Sequence, residues 1–231
     1  MPDTTYIGRG IYTPRRATEL VEAKPGQLKR WVSGYRRNKQ MYDPVIDHDY
    51  PLVDGDLALS FLDLVELMLV VQLRKIEVPL QALRRAHDLA QAMLKTTHPF
   101  ASGNLRTDGH DVFIAVEEEF GRSIVQATGS KLTGHHVMPE VVAPFLKHIT
   151  FAGETALAHV LYPWGKDEPI VLDPQRVFGE PTVRETRIRT RTLADFVGGG
   201  ASEKTVAEWY KLSEDTVHAA VRYESGHRWA A

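Results

Sequence analysis

The stretch Tyr12-Thr13-Pro14-Arg15-Arg16-Ala17-Thr18-Glu19-Leu20-Val21, with Pro25-Gly26-Gln27-Leu28-Lys29-Arg30-Trp31-Val32-Ser33-Gly34-Tyr35 after it, decides how the rest of the chain is read. Thr13 can cap a helix, Pro14 suits its first position, and Ala17, Leu20 and Val21 fall on one face. Pro25 opens a second helix in which Leu28, Trp31, Val32 and Tyr35 recur at i, i+3, i+4 and i+7. At 100° per residue the opposite face carries Gly26, Arg30, Ser33 and Arg37, flanked by Gln27, Lys29 and Arg36. Two short helices joined by a tight turn, the second basic on its free face, predict a helix-turn-helix.

Outward from this pair, residues 38–58 are rich in Asp, Pro, Tyr and Gly and read as a loop or small hairpin, where a wing would sit. Ser60 with Asp63 three residues on is a capping-box pattern, opening a helix to about Lys75. That helix is apolar almost all round, from Phe61 to Leu73, which predicts a central core element or part of a dimer interface. Val78-Pro79 opens a further helix to about Lys95, with Leu80, Leu83, Ala86, Ala90, Met93 and Leu94 inward and Arg84, Arg85, Asp88 and Gln91 outward. Residues 111–116 and 123–127 read as a hairpin, Pro139 to His148 as a helix, and residues 149–151 and 157–162 as strands. Tyr162-Pro163-Trp164-Gly165 marks a boundary. Beyond it come a strand at Ile170-Val171-Leu172, a turn at Phe178-Gly179-Glu180-Pro181, and three helices opened by Thr192, Ser202 and Ser213, the first stopped by Gly198-Gly199-Gly200. The expected fold class is mainly α with small β hairpins (α+β), divided into residues 1–97, 98–165 and 166–231.

Hydrophobic residues make up 43% of the 231 and charged residues 25%, enough apolar material for a core and too much for a disordered scaffold. The absence of cysteine excludes disulfides, thiolate nucleophiles and Cys-based metal centres, and fits a reducing, cytoplasmic setting. No secretory signal pattern opens the chain, and the run Leu57 to Leu73 is too short and too charged to span a bilayer. The net charge of −2 conceals an asymmetry: residues 1–40 hold nine Lys/Arg against three Asp/Glu, whereas residues 41–164 hold nine against sixteen. A basic head on an acidic body points to a polyanionic partner for one end, beside the plainer reading of a solvated face.

Enzymatic chemistry finds little support. His48-Asp49, His87-Asp88 and His110-Asp111 resemble dipeptides of metal phosphohydrolases, yet no His-x-x-x-His or Glu-x-x-His pair falls on an expected helix and adjacent His135-His136 would point apart in a strand, so surface or capping histidines are expected and no metal site. No Gly-x-Ser-x-Gly elbow and no phosphate-binding loop is present. Glu117-Glu118-Glu119 reads as a solvent-facing run or a docking surface for a basic partner, in preference to a cation site. Arg184, Arg187, Arg189 and Arg191 form the densest basic cluster after the head. In an extended strand the last three would share a face suited to phosphates or to a carboxylate-lined site, the alternative being pairing with Glu180 and Glu185. The last helix opens Ser213-Glu214-Asp215, carboxylates of the wrong sign for a recognition helix, so the N-terminal pair is read as the DNA reader and the C-terminal module as a protein-contact surface.

The order of elements from Tyr12 to Ala17 through Lys29-Arg30-Trp31 and Leu59 to Leu83 resembles the MerR-like winged helix. Leu172-Asp173-Pro174, Phe178-Gly179-Glu180-Pro181-Thr182-Val183-Arg184-Glu185-Thr186-Arg187-Ile188 and Thr190-Arg191-Thr192-Leu193-Ala194-Asp195 resemble a small helix-turn-helix antitoxin domain long catalogued as a domain of unknown function. Together the halves resemble the two-domain VapB-type antitoxins of prokaryotic type II toxin/antitoxin modules, and the likeness covers most of the chain. Arg189 and Glu185 depart from the family's usual residues there. The resemblance implies a PIN-like ribonuclease toxin as partner, autoregulation through operator DNA, a homodimer, no cofactor and no catalysis. Gln27 and Arg30 are the expected base-edge contacts, with Arg15, Arg16, Lys29, Arg36 and Arg37 on phosphates. Toxin contact falls to the Arg184 to Arg191 segment or to the tail around Arg228 and Trp229, where either guanidinium supply could meet the toxin's carboxylates. A free-standing MerR-like regulator that responds to a small ligand is the alternative reading.

Overall fold

The computed structural model describes residues 8–24, 26–52, 56–105, 138–153 and 156–226. The expected hairpin at 111–127, the Glu117-Glu118-Glu119 run, and Arg228 and Trp229 lie outside the described residues. The fold is mixed α+β: among the described residues there are eight α-helices and two small sheets. Contacts divide it into two units, residues 12–147 with 151–158, and residues 1–11 with 148–150 and 159–231, so the stretch 98–165 is shared between them.

In the larger unit, α1 (Pro14–Val21) is capped by the Thr13 hydroxyl, which accepts the Arg16 N–H, and it buries Ala17, Leu20 and Val21. Helix α2 (Gln27–Ser33) buries Leu28, Trp31 and Val32. It is shorter than its apolar spacing predicts. Gly34 takes a positive φ of 67°, and a Cβ there would lie 2.5 Å from the Tyr42 carbonyl oxygen, so the chain turns sharply out of the helix at a position that only glycine fills. Tyr35, Arg36 and Arg37 therefore stand on strand β1 (Tyr35–Arg37), not on a third helical turn. β1 pairs antiparallel with β2 (Gln40–Tyr42), through a two-residue turn in which Asn38 and Lys39 both have positive φ. The hairpin thus begins earlier than residues 38–58.

Helix α3 (Phe61–Lys75) carries the capping box in full: Ser60 Oγ accepts the Asp63 N–H, and Asp63 Oδ2 accepts the Ser60 N–H at 2.7 Å. Its apolar residues are spent on the chain's own core, where Leu64, Val65, Leu67, Leu69 and Val70 are completely covered. Helix α4 (Leu80–Leu94) buries Ala82, Leu83, Ala86, His87 and Ala90. Met93, expected inward, is 48% exposed. Beyond a 3-10 turn at Pro99–Ala101, a π-helical turn (Met138–Val142) leads into α5 (Ala143–Lys147), in place of one regular helix.

The smaller unit holds β5 (Ile170–Leu172) and β6 (Pro181–Val183) and all but Phe151 and Ala158 of β3 (Ile149–Phe151) and β4 (Ala158–Leu161), the four strands lying in the order β3, β4, β5, β6 across the sheet. β5 pairs antiparallel with β4 and with β6. Helix α6 (Thr190–Gly198) starts two residues before the expected Thr192. Helices α7 (Glu203–Tyr210) and α8 (Glu214–Glu224) follow the expected caps, Ser202 and Ser213, whose hydroxyls accept the Thr205 and Thr216 N–H groups. Ile170, Val183, Leu193, Val206, Val217, Ala220 and Tyr223 close into one apolar core. No helix of the described residues is long and apolar enough to cross a membrane.

Candidate functional site

Burial of Leu28, Trp31 and Val32 turns the other side of α2 to solvent, and Lys29 and Arg30 are exposed there. Arg36 and Arg37 are exposed on β1. None of these four pairs with a described acidic residue, so each keeps a cation available for an external anion. Gln27 is half-buried and its Oε1 accepts the Lys24 N–H, which ties it to the turn before α2. Arg15 and Arg16 are differently placed, since both guanidiniums reach Glu19, at 3.4 and 3.2 Å. Burial works to raise the Glu19 pKa, but the two arginines win and hold it below the ordinary carboxylate value.

Arg84, expected to face outward, instead braces the hairpin. The Tyr35 and Tyr42 rings stack at 4.8 Å, the Arg84 guanidinium lies 6.0 and 5.9 Å from their centroids, and its Nε donates to the Asp43 carbonyl at 2.6 Å. The Val45 N–H donates to the Trp31 carbonyl, so the segment leaving the hairpin is tied back to α2. The hairpin that displays Arg36 and Arg37 is thus braced from α4 and from α2. Only the long-range contact of Arg84 reveals this, and helical periodicity carries no signal for it.

The second basic cluster does not form an extended strand. β6 stops at Val183, Arg184 and Glu185 sit in a turn where Glu185 has a φ of 63°, Arg189 precedes α6 as its N-cap, and Arg191 lies in the helix's first turn. Alternate arginines on one strand face, the geometry expected for this segment, is therefore replaced by turn and helix. Arg184 is held locally, its Nη1 donating to the Lys166 carbonyl at 2.6 Å. Arg187, Arg189 and Arg191 are exposed and pair with no described acidic residue. Arg187 lines an open polar cavity of about 570 Å³ together with His159, Asp173, Arg176 and Glu185. Arg176, not singled out by sequence, is fixed there by Asp173 at 3.0 Å and by the Thr186 carbonyl at 3.4 Å.

The largest departure from the sequence reading is inside the larger unit. His87 and His98 are not surface histidines: each is 3% exposed, and both meet Glu66, which is fully buried on α3. His87 Nε2 lies 3.3 Å from Glu66 Oε1, and His98 Nδ1 lies 3.2 Å from Oε2. The Phe100 N–H also donates to Oε1 at 2.9 Å. The other face of His98 meets Asp49, 3.0 Å from Nε2, and Asp63 Oδ1 stands 3.8 Å from Nδ1. Burial would raise the Glu66 pKa, yet the two histidines hold it below its ordinary value. Burial would likewise lower that of His98, but Asp49 and Glu66 override it and push it up to about 10. Asp63 is raised to about 6, first by burial and further by the Asp49 charge, against the Ser60 hydrogen bond. The signal in the sequence is thin: one Glu inside an all-apolar helix, and a His-Asp pair on a separate segment.

Comparison with known proteins places these features in context. Residues 170–223, covering β5 to nearly the end of α8, match a family model described as a protein of unknown function, DUF433. The chain is 25% identical over 223 residues to the protein named "Putative antitoxin VapB45" of Mycobacterium tuberculosis, covering 91% of this chain and 92% of that one. It is also 25% identical over 238 residues to "Uncharacterized protein Rv2308" of the same organism, covering 100% and 96%. The crystal structure of Rv2018 from Mycobacterium tuberculosis shares the fold, with a TM-score of 0.70 over 91% of this chain and 96% of that one at 24% identity.

Proposed function

We propose that this chain is the antitoxin of a type II toxin/antitoxin module, a non-enzymatic protein that neutralises a PIN-like ribonuclease and binds its own operator as a homodimer. The observation that carries the proposal is the end-to-end likeness to the protein named "Putative antitoxin VapB45", which extends well beyond the segment matched by the family model. DNA contact is assigned to α2 and β1 acting as a winged helix-turn-helix. Lys29, Arg30, Arg36 and Arg37 are exposed and meet no acidic partner among the described residues, as phosphate neutralisation requires, whereas Arg15 and Arg16 have first to leave Glu19. Toxin contact is assigned to Arg187, Arg189 and Arg191, whose exposed guanidiniums, with no acidic partner among the described residues, suit a carboxylate-lined nuclease centre. Because α3 is buried in its own chain, the dimer has to form through another surface.

Gel-shift titration on the DNA upstream of the chain's own reading frame tests the DNA arm. Arg30→Ala is expected to cost about 1 to 3 kcal/mol of binding and to relax specificity at one position, whereas the phosphate contact Arg37→Ala weakens all sequences alike and lowers the salt slope by about one. Equal binding by the wild type and by an Arg30/Arg36/Arg37 triple alanine variant contradicts the assignment.

A further inference from the structure

The buried polar cluster contains an atom that the fold leaves unsatisfied. Asp63 Oδ2 is fully used: it accepts the Ser60 N–H at 2.7 Å and the Asp49 N–H at 3.3 Å. Asp63 Oδ1 is buried with no hydrogen-bond partner, although the whole residue is 0% exposed. A capping-box carboxylate on a surface helix has water for its second oxygen. That oxygen stands 3.8 Å from His98 Nδ1, too far for a hydrogen bond, and one ligating atom from each of Asp49, Asp63 and His98 lies within 4.8 Å of the others. An unmatched carboxylate oxygen in such a site costs roughly 1 to 3 kcal/mol or more, so something else is needed to answer it.

We propose that Asp49, Asp63 and His98 hold a divalent transition-metal ion, with His98 coordinating through Nε2. Three features converge on this. Glu66 meets His98 Nδ1 at 3.2 Å, the carboxylate–imidazole contact that fixes the tautomer once an ion displaces to solvent the Nε2 proton that Asp49 accepts in the metal-free protein. Asp49 Oδ1 already stands 3.0 Å from Nε2, close to the separation of two ligands on one ion with bonds of about 2.0 to 2.2 Å. Three carboxylates, those of Asp49, Asp63 and Glu66, face two imidazoles, a surplus of negative charge that a dication offsets. One nitrogen and two carboxylates suit Zn²⁺ or Mn²⁺, with water completing the shell. Asp49 is the entry side, its side chain 15% exposed while that of Asp63 is fully covered. The site stands on the larger unit alone and is independent of the DNA and toxin assignments.

The test is a Zn²⁺ titration of the untagged full chain in competition with a chromophoric chelator, supported by the visible absorption of the Co²⁺-loaded protein. The expected result is one ion per chain, with Asp49→Asn and Asp63→Asn each weakening it by more than about tenfold. Asp63→Asn keeps an oxygen for the Ser60 N–H and removes only the ligating one. His218→Gln, an exposed histidine of the smaller unit beside Glu203, is expected to leave the affinity unchanged. If Asp63→Asn fails to fold, Asp49→Asn on its partly exposed loop carries the test, and it must both weaken Zn²⁺ and alter the Co²⁺ spectrum. A wild-type chain that binds no Zn²⁺, or binds it as tightly when Asp49 is changed, overturns the proposal.

Discussion

The two units solve the problem of a core in different ways. The smaller one closes Ile170, Val183, Leu193, Val206, Val217, Ala220 and Tyr223 around a short sheet, and its helices start at hydroxyl caps or at an extended residue. The larger one surrounds α3 with apolar side chains and then places Glu66, Asp63, His87 and His98 among them. An apolar core tolerates local loss in proportion to the volume removed, whereas a buried ionic cluster fails when one member goes, because the others are left charged and unanswered.

That difference can be broken most severely at Glu66. Glu66→Ala strips His87, His98 and the Phe100 N–H of their common acceptor, and a loss of about 3 to 5 kcal/mol is expected in urea unfolding followed by Trp31 fluorescence. A loss below about 1 kcal/mol would mean the cluster is not answering those groups. Leu193→Ala, at a fully buried position of the other core, is expected to cost about 2 to 5 kcal/mol through the cavity it leaves, with no dependence on pH. Its effect read by the near-ultraviolet signal of Trp164, which meets Tyr223 edge-on at 5.8 Å, distinguishes the two cores.

A smaller and slower change sharpens the same contrast. In metal-free protein, kept so with a chelator, the His98 pKa is raised from 6.5 to about 10 by Asp49 and Glu66 against burial. The folded state therefore holds this proton more tightly than the unfolded one. The resulting stability is complete below pH 6.5 and is lost as pH rises through about 10. Asp63, raised to about 6 from 3.8, is ionised in both states across that window and contributes slope only between 3.8 and about 6. Subtracting the pH profile of His98→Gln from that of the wild type is expected to isolate a declining stability above pH 6.5. A flat difference would show that His98 is not charged in the fold.

What the sequence made legible follows physical lines. Local signals held: Thr13, Ser60, Ser202 and Ser213 cap helices as their hydroxyls allow, and the all-round apolar run from Phe61 became the covered central helix. Signals that depend on distant partners did not. The spacing of Leu28, Trp31, Val32 and Tyr35 is helical to the end, and what stops the helix at Ser33 is the close approach of the Tyr42 carbonyl to Gly34. Arg184 to Arg191 alternate as a strand does, but β6 ends at Val183 and Thr190 is already helical. Glu66, His87 and His98 come from three separate segments, so no spacing rule could gather them. Of the residues nominated for DNA, Lys29, Arg30, Arg36 and Arg37 stand exposed and pair with no described acidic residue, although the last two reach solvent from a strand and not from a helix.

The proposed division of labour, with the braced basic hairpin of the larger unit for DNA and the exposed arginines of the smaller one for a ribonuclease, meets its most direct test in the cell. The reading frame adjacent to this chain's own, which the antitoxin reading requires to encode a nuclease, is expressed from an inducible promoter, with and without the full chain, and growth is followed after induction. Growth restored by the wild-type chain and by Arg30→Ala, but not by an Arg187/Arg189/Arg191 triple alanine variant of equal abundance, is the expected result. Arrested growth despite abundant, folded wild-type chain would contradict the antitoxin reading.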